Sequence, residues 1–138
     1  MSLLQWQDRF RIGIAEVDLE HRELIELINA LHGELGGDRT PARVEEFLGE
    51  ILARITAHFA LEEKSMETLG YPERAAHKAD HERLLDDIRD IMDEVDASGV
   101  LDEARFSARL SDWFGVHFAS FDERLHRYLV TRPAGRAR

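Results

Sequence analysis

This chain of 138 residues contains no cysteine. The absence excludes disulfide bonds, iron–sulfur clusters and thiolate zinc sites, and it favours a reducing compartment such as the cytoplasm. No stretch approaches the roughly 18 consecutive apolar residues that a membrane span needs. The segment 1–6 also lacks the basic residues of a signal peptide. We therefore expect a cytoplasmic protein without a membrane partner.

Positive charge is scarce. The chain has 18 lysines and arginines but 28 aspartates and glutamates, so its formal net charge is -10. Such an acidic chain is not suited to bind nucleic acid. Hydrophobic residues make up 43% of the sequence, which is typical of a globular protein with a substantial core. The length fits one domain, so we predict a single domain over residues 1–138.

Breaks in the helical pattern fall at three places that contain glycine or proline. They are Gly36-Gly37 followed by Pro41, Gly70 followed by Pro72, and Gly99. Between the breaks, apolar residues recur in steps of three and four, which is the period of an amphipathic α-helix. The pattern predicts helices at about 18–36, 41–69, 73–98 and 103–131. Four such helices with short connections indicate an all-α, antiparallel up-down-up-down four-helix bundle, with an N-terminal arm at residues 1–17.

The apolar stripes of these helices contain polar residues, which are unusual on a surface that faces a core. They are His21, His58, Glu62, His77, His81 and His117, with Asp122 one position off the fourth stripe. Burying such groups without partners costs several kcal/mol each, so something must compensate. With a rise of about 1.5 Å per residue, distances counted from the turns bring all seven groups to one level of the bundle. The sequence therefore predicts one buried polar cluster.

Spacing within the helices indicates how these residues are arranged. His58 and Glu62 are four residues apart, and so are His77 and His81, so each pair shares one helix face. His117 and Asp122 are five apart, which places them about 140° from each other on an ideal helix. This last spacing predicts either a π-type irregularity or a wide site in which Asp122 bridges two metal ions.

Five imidazoles and two carboxylates exceed what a single tetrahedral zinc ion binds. Two octahedral first-row ions fit the set better, with iron accepted and manganese, cobalt and zinc as alternatives. If both carboxylates and a solvent oxygen bridge the ions, one ion has six ligands and the other has five. The remaining coordination position faces an apolar pocket, for which we name Leu24, Ile55 and Trp113 as wall residues. Such a position suits a small diatomic ligand.

Four motifs of this chain resemble those of the bacterial hemerythrins. They are Asp-Leu-Glu-His at 18–21, His-Phe-Ala-Leu-Glu-Glu at 58–63, His-Lys-Ala-Asp-His at 77–81 and Trp-Phe-Gly-Val-His-Phe-Ala-Ser-Phe-Asp at 113–122. The resemblance covers nearly the whole chain and implies a pair of non-haem iron ions. It implies that one iron is held by His77, His81 and His117, the other by His21 and His58, and that Glu62, Asp122 and a hydroxo or oxo group bridge the two.

The resemblance also implies reversible dioxygen binding by a carrier, store or delivery protein rather than an enzyme. The alternatives are an oxygen or redox sensor module and a di-iron enzyme acting on nitric oxide or peroxide. Nitric oxide is therefore a second candidate ligand.

Two histidines lie outside the predicted ligand set. His32 has no acidic partner at helical spacing, so we expect it at the surface. His126 follows Asp122 by four residues and is a candidate neighbour of the site. Glu123 and His126 form one Glu-x-x-His motif, whereas a ferritin-like oxidase needs two of them and two further glutamates.

Overall fold

The computed structural model describes residues 3–11 and 15–131 of the chain. Its elements are a short 3₁₀ turn (Asp8–Phe10), α1 (Ala15–Leu35), α2 (Pro41–Leu69), α3 (Arg74–Ser98), α4 (Glu103–His117), a π-helical segment (Phe118–Asp122) and α5 (Glu123–Thr131). These described residues contain no β-strand, and the predicted all-α bundle is confirmed. None of the helices within them is both long and apolar enough to cross a membrane.

Consecutive helices are neighbours in the bundle, with α1 packed on α2, α2 on α3 and α3 on α4. The fourth predicted helix is present as α4, the π-helical segment and α5, which follow one another without a break. Within the described residues, α1 covers Ala15–Leu35, so it includes three residues before the predicted start at about 18.

Glycines in the left-handed conformation end two of the long helices. Gly70 has φ 65° and Gly99 has φ 76°, a region that other residues rarely adopt. The amide of Gly99 donates to the carbonyl of Val95 at 2.6 Å, so it satisfies one of the free carbonyls at the end of α3. These stops give the short connections that an antiparallel bundle requires.

The arm that precedes α1 packs against the bundle. Leu4 and Phe10 are buried in the same apolar core as the helices. The backbone of Leu4 is held by Asn29 of α1, because the Leu4 amide donates to Asn29 Oδ1 at 2.9 Å and Asn29 Nδ2 donates to the Leu4 carbonyl at 2.6 Å. Asn29 therefore attaches the arm to α1 by two hydrogen bonds.

Replacement of Asn29 by alanine is expected to lower the free energy of unfolding by about 1–3 kcal/mol, because both backbone groups of Leu4 lose their partner in a partly buried place. Urea unfolding of the variant measures the loss. The matched control is Glu26→Ala on the exposed face of the same helix, which should change stability little. Equal stabilities for the two variants would show that the arm is not held in this way.

Candidate metal centre

Five potential metal ligands meet where α2, α3 and the end of α4 face one another. One ligand atom from each lies within 4.8 Å of all the others, and the residues are Glu62, His77, His81, His117 and Asp122. The three histidines and Asp122 are buried, and Glu62 is partly buried. The helices thus bring together five of the seven residues that the sequence placed at one level.

The ring nitrogens and carboxylate oxygens of this cluster are close but do not pair by ordinary hydrogen bonds. His77 Nε2 lies 2.8 Å from Glu62 Oε1 and 3.0 Å from Asp122 Oδ1. His81 Nε2 lies 3.0 Å from the same Glu62 oxygen, and His117 Nε2 lies 2.9 Å from the same Asp122 oxygen. Yet all three Nε2 atoms and Asp122 Oδ1 lack a well-directed hydrogen bond. The atoms point into a shared space rather than at one another.

This geometry fits ligands arranged around a metal ion. Two atoms on neighbouring corners of an octahedron, each about 2.1 Å from the ion, lie roughly 3.0 Å apart. The nitrogen–oxygen separations of 2.8–3.0 Å agree with that value. Imidazole and carboxylate ligands without sulfur are the set that iron and its first-row neighbours accept. The residues present therefore fit a first-row metal ion.

The π-helical segment explains how His117 and Asp122 reach the same cluster. The amide of Glu123 donates to the carbonyl of Phe118, five residues earlier, so the turn is wider than an α-helical turn. In this wider turn, two residues five apart come to roughly the same face of the helix instead of lying about 140° apart. Of the two arrangements that the spacing allowed, the π-type irregularity is present.

Asp122 also contacts a histidine from α1. His21 Nε2 lies 2.9 Å from Asp122 Oδ2, whereas the other oxygen of the same carboxylate faces His77 and His117. The His21 ring stacks on Phe118 with a centroid distance of 3.6 Å, which fixes the plane of the imidazole. The two oxygens of Asp122 thus face histidines on opposite sides.

His58 lies at the edge of this arrangement. It is half-buried, and it lines a cavity of about 600 Å³ together with Leu24 and Glu62. Burial lowers the pKa of His58, while the carboxylates of Glu62 and Asp122 oppose that effect. The five-residue cluster includes neither His58 nor His21, but both lie close to its carboxylates.

Comparison with known proteins identifies the family. The family model described as hemerythrin HHE cation binding domain matches residues 12–129. The chain belongs to the hemerythrin family. The family resemblance drawn from the four motifs is thereby confirmed, and the chain forms a hemerythrin-like metal-binding domain.

Individual hemerythrins and a solved structure agree with this assignment. A bacteriohemerythrin of Stenotrophomonas maltophilia is 38% identical over 125 residues, which cover 89% of this chain and 79% of that protein. A bacteriohemerythrin of Pseudomonas paraeruginosa is 38% identical over 85 residues, which cover 62% of this chain and 55% of that protein. The crystal structure of a leucine-to-phenylalanine mutant has a TM-score of 0.70 and 26% identity, and the match covers 90% of this chain and 95% of that one.

The three residues predicted to line the ligand pocket of this hemerythrin lie in different surroundings. Leu24 does line the cavity beside His58, but Ile55 is fully buried within the apolar core. The Trp113 ring stacks on His117 at 4.2 Å and lines a different cavity, of about 360 Å³, together with Asp80. Trp113 also contacts Phe59, the residue after His58, with a distance of 5.5 Å between ring centroids, so it packs between α2 and His117.

Sequence reasoning also missed three carboxylates of this hemerythrin. Glu63 and Asp80 were not among the predicted site residues, but they contact His81 and His117 at 2.8 and 2.7 Å. The position of Asp80, directly before His81, could have signalled a role near the site. His32 was expected at the surface without a partner, but it is half-buried and its Nε2 lies 2.8 Å from Glu103 of α4. Spacing along one helix does not reveal a partner on another.

His126 lies close to the cluster, as its position after Asp122 suggested. Burial lowers the pKa of His126, and the carboxylates of Asp122 and Glu62 partly oppose that effect. These are the same carboxylates that influence His58, so the two histidines share one electrostatic environment.

The carboxylates also control the charge of His77 when no metal is bound. Burial by itself would lower the pKa of His77, but the adjacent Asp122 and Glu62 raise it to about 9. Burial would raise the pKa of Asp122, but His117, His21 and His77 hold it well below its usual range. Protons on the imidazoles thus take over part of the charge balance that a metal ion would provide.

The metal-free protein is expected to lose stability as the pH rises from about 6.5 to about 9. A raised pKa means that His77 stabilises the fold fully below its unfolded value of 6.5, and that this stabilisation disappears as the pH passes the folded value. His58 and His126, whose pKa values are lowered, titrate below this window. Urea unfolding of chelated protein across the window measures the loss, and His77→Gln should weaken the dependence. Stability that increases over the same window would contradict the placement of His77.

Proposed function

We propose that this hemerythrin binds dioxygen reversibly at a non-haem di-iron centre and serves as a carrier, store or delivery protein in the cytoplasm. The observation that carries the proposal is the position of Asp122, whose two oxygens face His21 on one side and His77 and His117 on the other. A carboxylate between two groups of imidazoles is placed to bridge two metal ions.

The ligands divide into two sets in this proposal. His77, His81 and His117 would hold one iron, His21 and His58 would hold the other, and Glu62 and Asp122 would be shared between the two. The distances around His77 support a shared role for the carboxylates, since its Nε2 lies 2.8 Å from Glu62 and 3.0 Å from Asp122. The location of His58 in a cavity wall beside Glu62 agrees with an ion that is reached from that cavity.

The protein environment provides orientation and partial exclusion of water. The iron pair would supply the two electrons that dioxygen takes up on binding. Phe118 stacks on His21, and Phe59 stacks on His81 at 3.8 Å, so apolar rings fix imidazoles on both sides of the site. Leu24 and Leu27 contribute an apolar wall to the cavity beside His58. Glu20, Glu23 and Arg54 also line this cavity, so the support for a small, weakly polar ligand at the His58 side comes from the leucines and the stacked rings.

The composition of the site favours binding over oxidative catalysis. Five imidazoles and two bridging carboxylates offer less negative charge than a carboxylate-rich set, so high oxidation states of iron are less stabilised. We therefore propose that the protein is not an enzyme. The proposal also places iron, rather than another first-row ion, at the centre, because that metal accepts these ligands and exchanges electrons with dioxygen.

Cycles of oxygenation test this function directly. The protein is loaded with ferrous iron without air, exposed to air, and then freed of oxygen, while its visible spectrum is recorded. We expect a coloured adduct that forms in air and bleaches on deoxygenation over several cycles. The zinc-loaded protein is the control and should stay colourless. Irreversible oxidation with release of peroxide, or turnover of peroxide or nitric oxide, would contradict reversible binding and support the enzyme alternative.

A further inference from the structure

Two histidines of the cluster each contact a further carboxylate through Nδ1, the ring nitrogen that faces away from the cluster. His117 Nδ1 lies 2.7 Å from Asp80 Oδ2, and His81 Nδ1 lies 2.8 Å from Glu63 Oε2. In both rings the opposite nitrogen, Nε2, points into the cluster. Each imidazole therefore lies between an outer carboxylate and the space where the metal ligands converge.

The other two buried histidines have no such carboxylate. The Nδ1 atoms of His21 and His77 make no hydrogen bond with any residue that the structure describes. Among the four buried histidines that the structure describes, outer carboxylates thus contact His81 and His117, two of the three proposed to hold one iron. His21, which belongs to the other proposed iron, has no carboxylate at its Nδ1.

Burial makes these two contacts strong. The side chain of Asp80 is 7% exposed and that of Glu63 is 21% exposed, so little water competes for their oxygens. Arg83 also contacts Asp80, at 3.3 Å, but its own side chain is 76% exposed and its charge is screened by solvent. The negative charge of Asp80 therefore acts mainly on His117.

We propose that Asp80 and Glu63 are positioning residues that set the redox balance of one iron in the proposed di-iron centre. As acceptors, they hold the proton of each imidazole on Nδ1, which leaves the Nε2 lone pair free for the metal. As anions, they increase the electron donation of His117 and His81. A ferric ion gains more from this donation than a ferrous ion does, since it carries one more positive charge.

The consequence is a difference between the two halves of the site. The iron bound by His77, His81 and His117 is easier to oxidise than the one bound by His21 and His58. Because dioxygen binding draws electrons from both ions, Asp80 and Glu63 adjust how readily the site binds and releases its ligand. This inference rests on the proposed di-iron function.

Potentiometric titration of the iron-loaded protein tests the inference. Asp80→Asn and Glu63→Gln preserve size and remove the charge. We expect each to shift the ratio of ferric to ferrous affinity about tenfold toward the ferrous ion, which is an increase of about 59 mV in a one-electron potential. Loss of iron to a chelator should be about 10–100 times faster. The control, Glu82→Gln, removes an exposed carboxylate next to His81 in sequence and should leave both quantities unchanged. Potentials of the two variants equal to that of the control would overturn the inference.

A second measurement does not depend on how the variants fold. Nitrogen–proton NMR spectra of the zinc-loaded wild-type protein should show His81 and His117 protonated at Nδ1, with the strongly shifted proton signals of a hydrogen bond to a carboxylate. Protonation at Nε2 in either ring would overturn the inference. Oxygenation of the wild-type protein is recorded separately. Shifted potentials without reversible oxygenation would reject only the proposed function, and normal oxygenation with unshifted potentials would reject only the role of Asp80 and Glu63.

Discussion

Removal of the bound metal is expected to lower the midpoint of thermal unfolding by roughly 10–20 °C. A ligand present at about 1,000 times its dissociation constant stabilises a protein by about 4 kcal/mol, and each kcal/mol shifts the midpoint of a domain of this size by several degrees. The effect is large here because the buried groups repel or lack partners without an ion. In particular, burial and the nearby carboxylate of Asp122 both act to raise the pKa of Glu62, and only the contacts with His77 and His81 lower it overall.

Differential scanning calorimetry of iron-loaded and chelated samples at one pH measures this difference. The control is Asp122→Ala, which lacks the shared carboxylate, so chelator should change its midpoint far less. Equal midpoints for loaded and chelated wild-type protein would contradict a metal ion in the core. A chelator effect of the same size in Asp122→Ala would place the stabilising ion elsewhere.

Loss of a central ligand is expected to reduce bound iron from two ions to fewer than one per chain. Asp122→Ala should have the largest effect, since its two oxygens face His21 on one side and His77 and His117 on the other. His77→Ala should follow, because His77 Nε2 contacts both carboxylates. We expect affinity to fall by more than about 100-fold, beyond the 10–100-fold typical for residues that only support a ligand.

Iron analysis after gel filtration measures the loss, and His32→Ala is the matched control. His32 lies eleven residues after His21 on α1, about 16 Å further along the helix, where it contacts Glu103. It should retain two ions, even if its stability is lower. Unchanged iron in both His77→Ala and Asp122→Ala would reject the ligand assignment, and loss of iron in His32→Ala would show that the effect is not local.

Much of the fold could be predicted because glycines in the sequence indicate where the helices end. Glycine at positions 70 and 99 ends helices that apolar periodicity had already outlined. The height of the site along the bundle could be predicted as well, by counting residues from these turns to the polar positions. His77, His81 and Asp122 do meet in one cluster.

The sequence did not predict which side chains of neighbouring helices contact each other, because those contacts depend on the direction in which each side chain points. The five-residue spacing of His117 and Asp122 allowed two arrangements, and only backbone hydrogen bonds distinguish a π-helical turn from an α-helical one. Glu62 and Glu63 are adjacent and chemically alike, yet they contact opposite nitrogens of His81, which no periodicity predicts. Trp113 lies one turn before His117 and stacks on it, but this spacing alone does not indicate which flank of the histidine the indole covers.

Anomalous X-ray diffraction at the iron absorption edge, on crystals of the loaded protein, tests the pairing of metal ions at the core most directly. Two strong peaks should lie within roughly 4 Å of each other, one beside His77, His81 and His117 and the other beside His21 and His58, with Asp122 between them. A single peak, or peaks distant from these side chains, would contradict it.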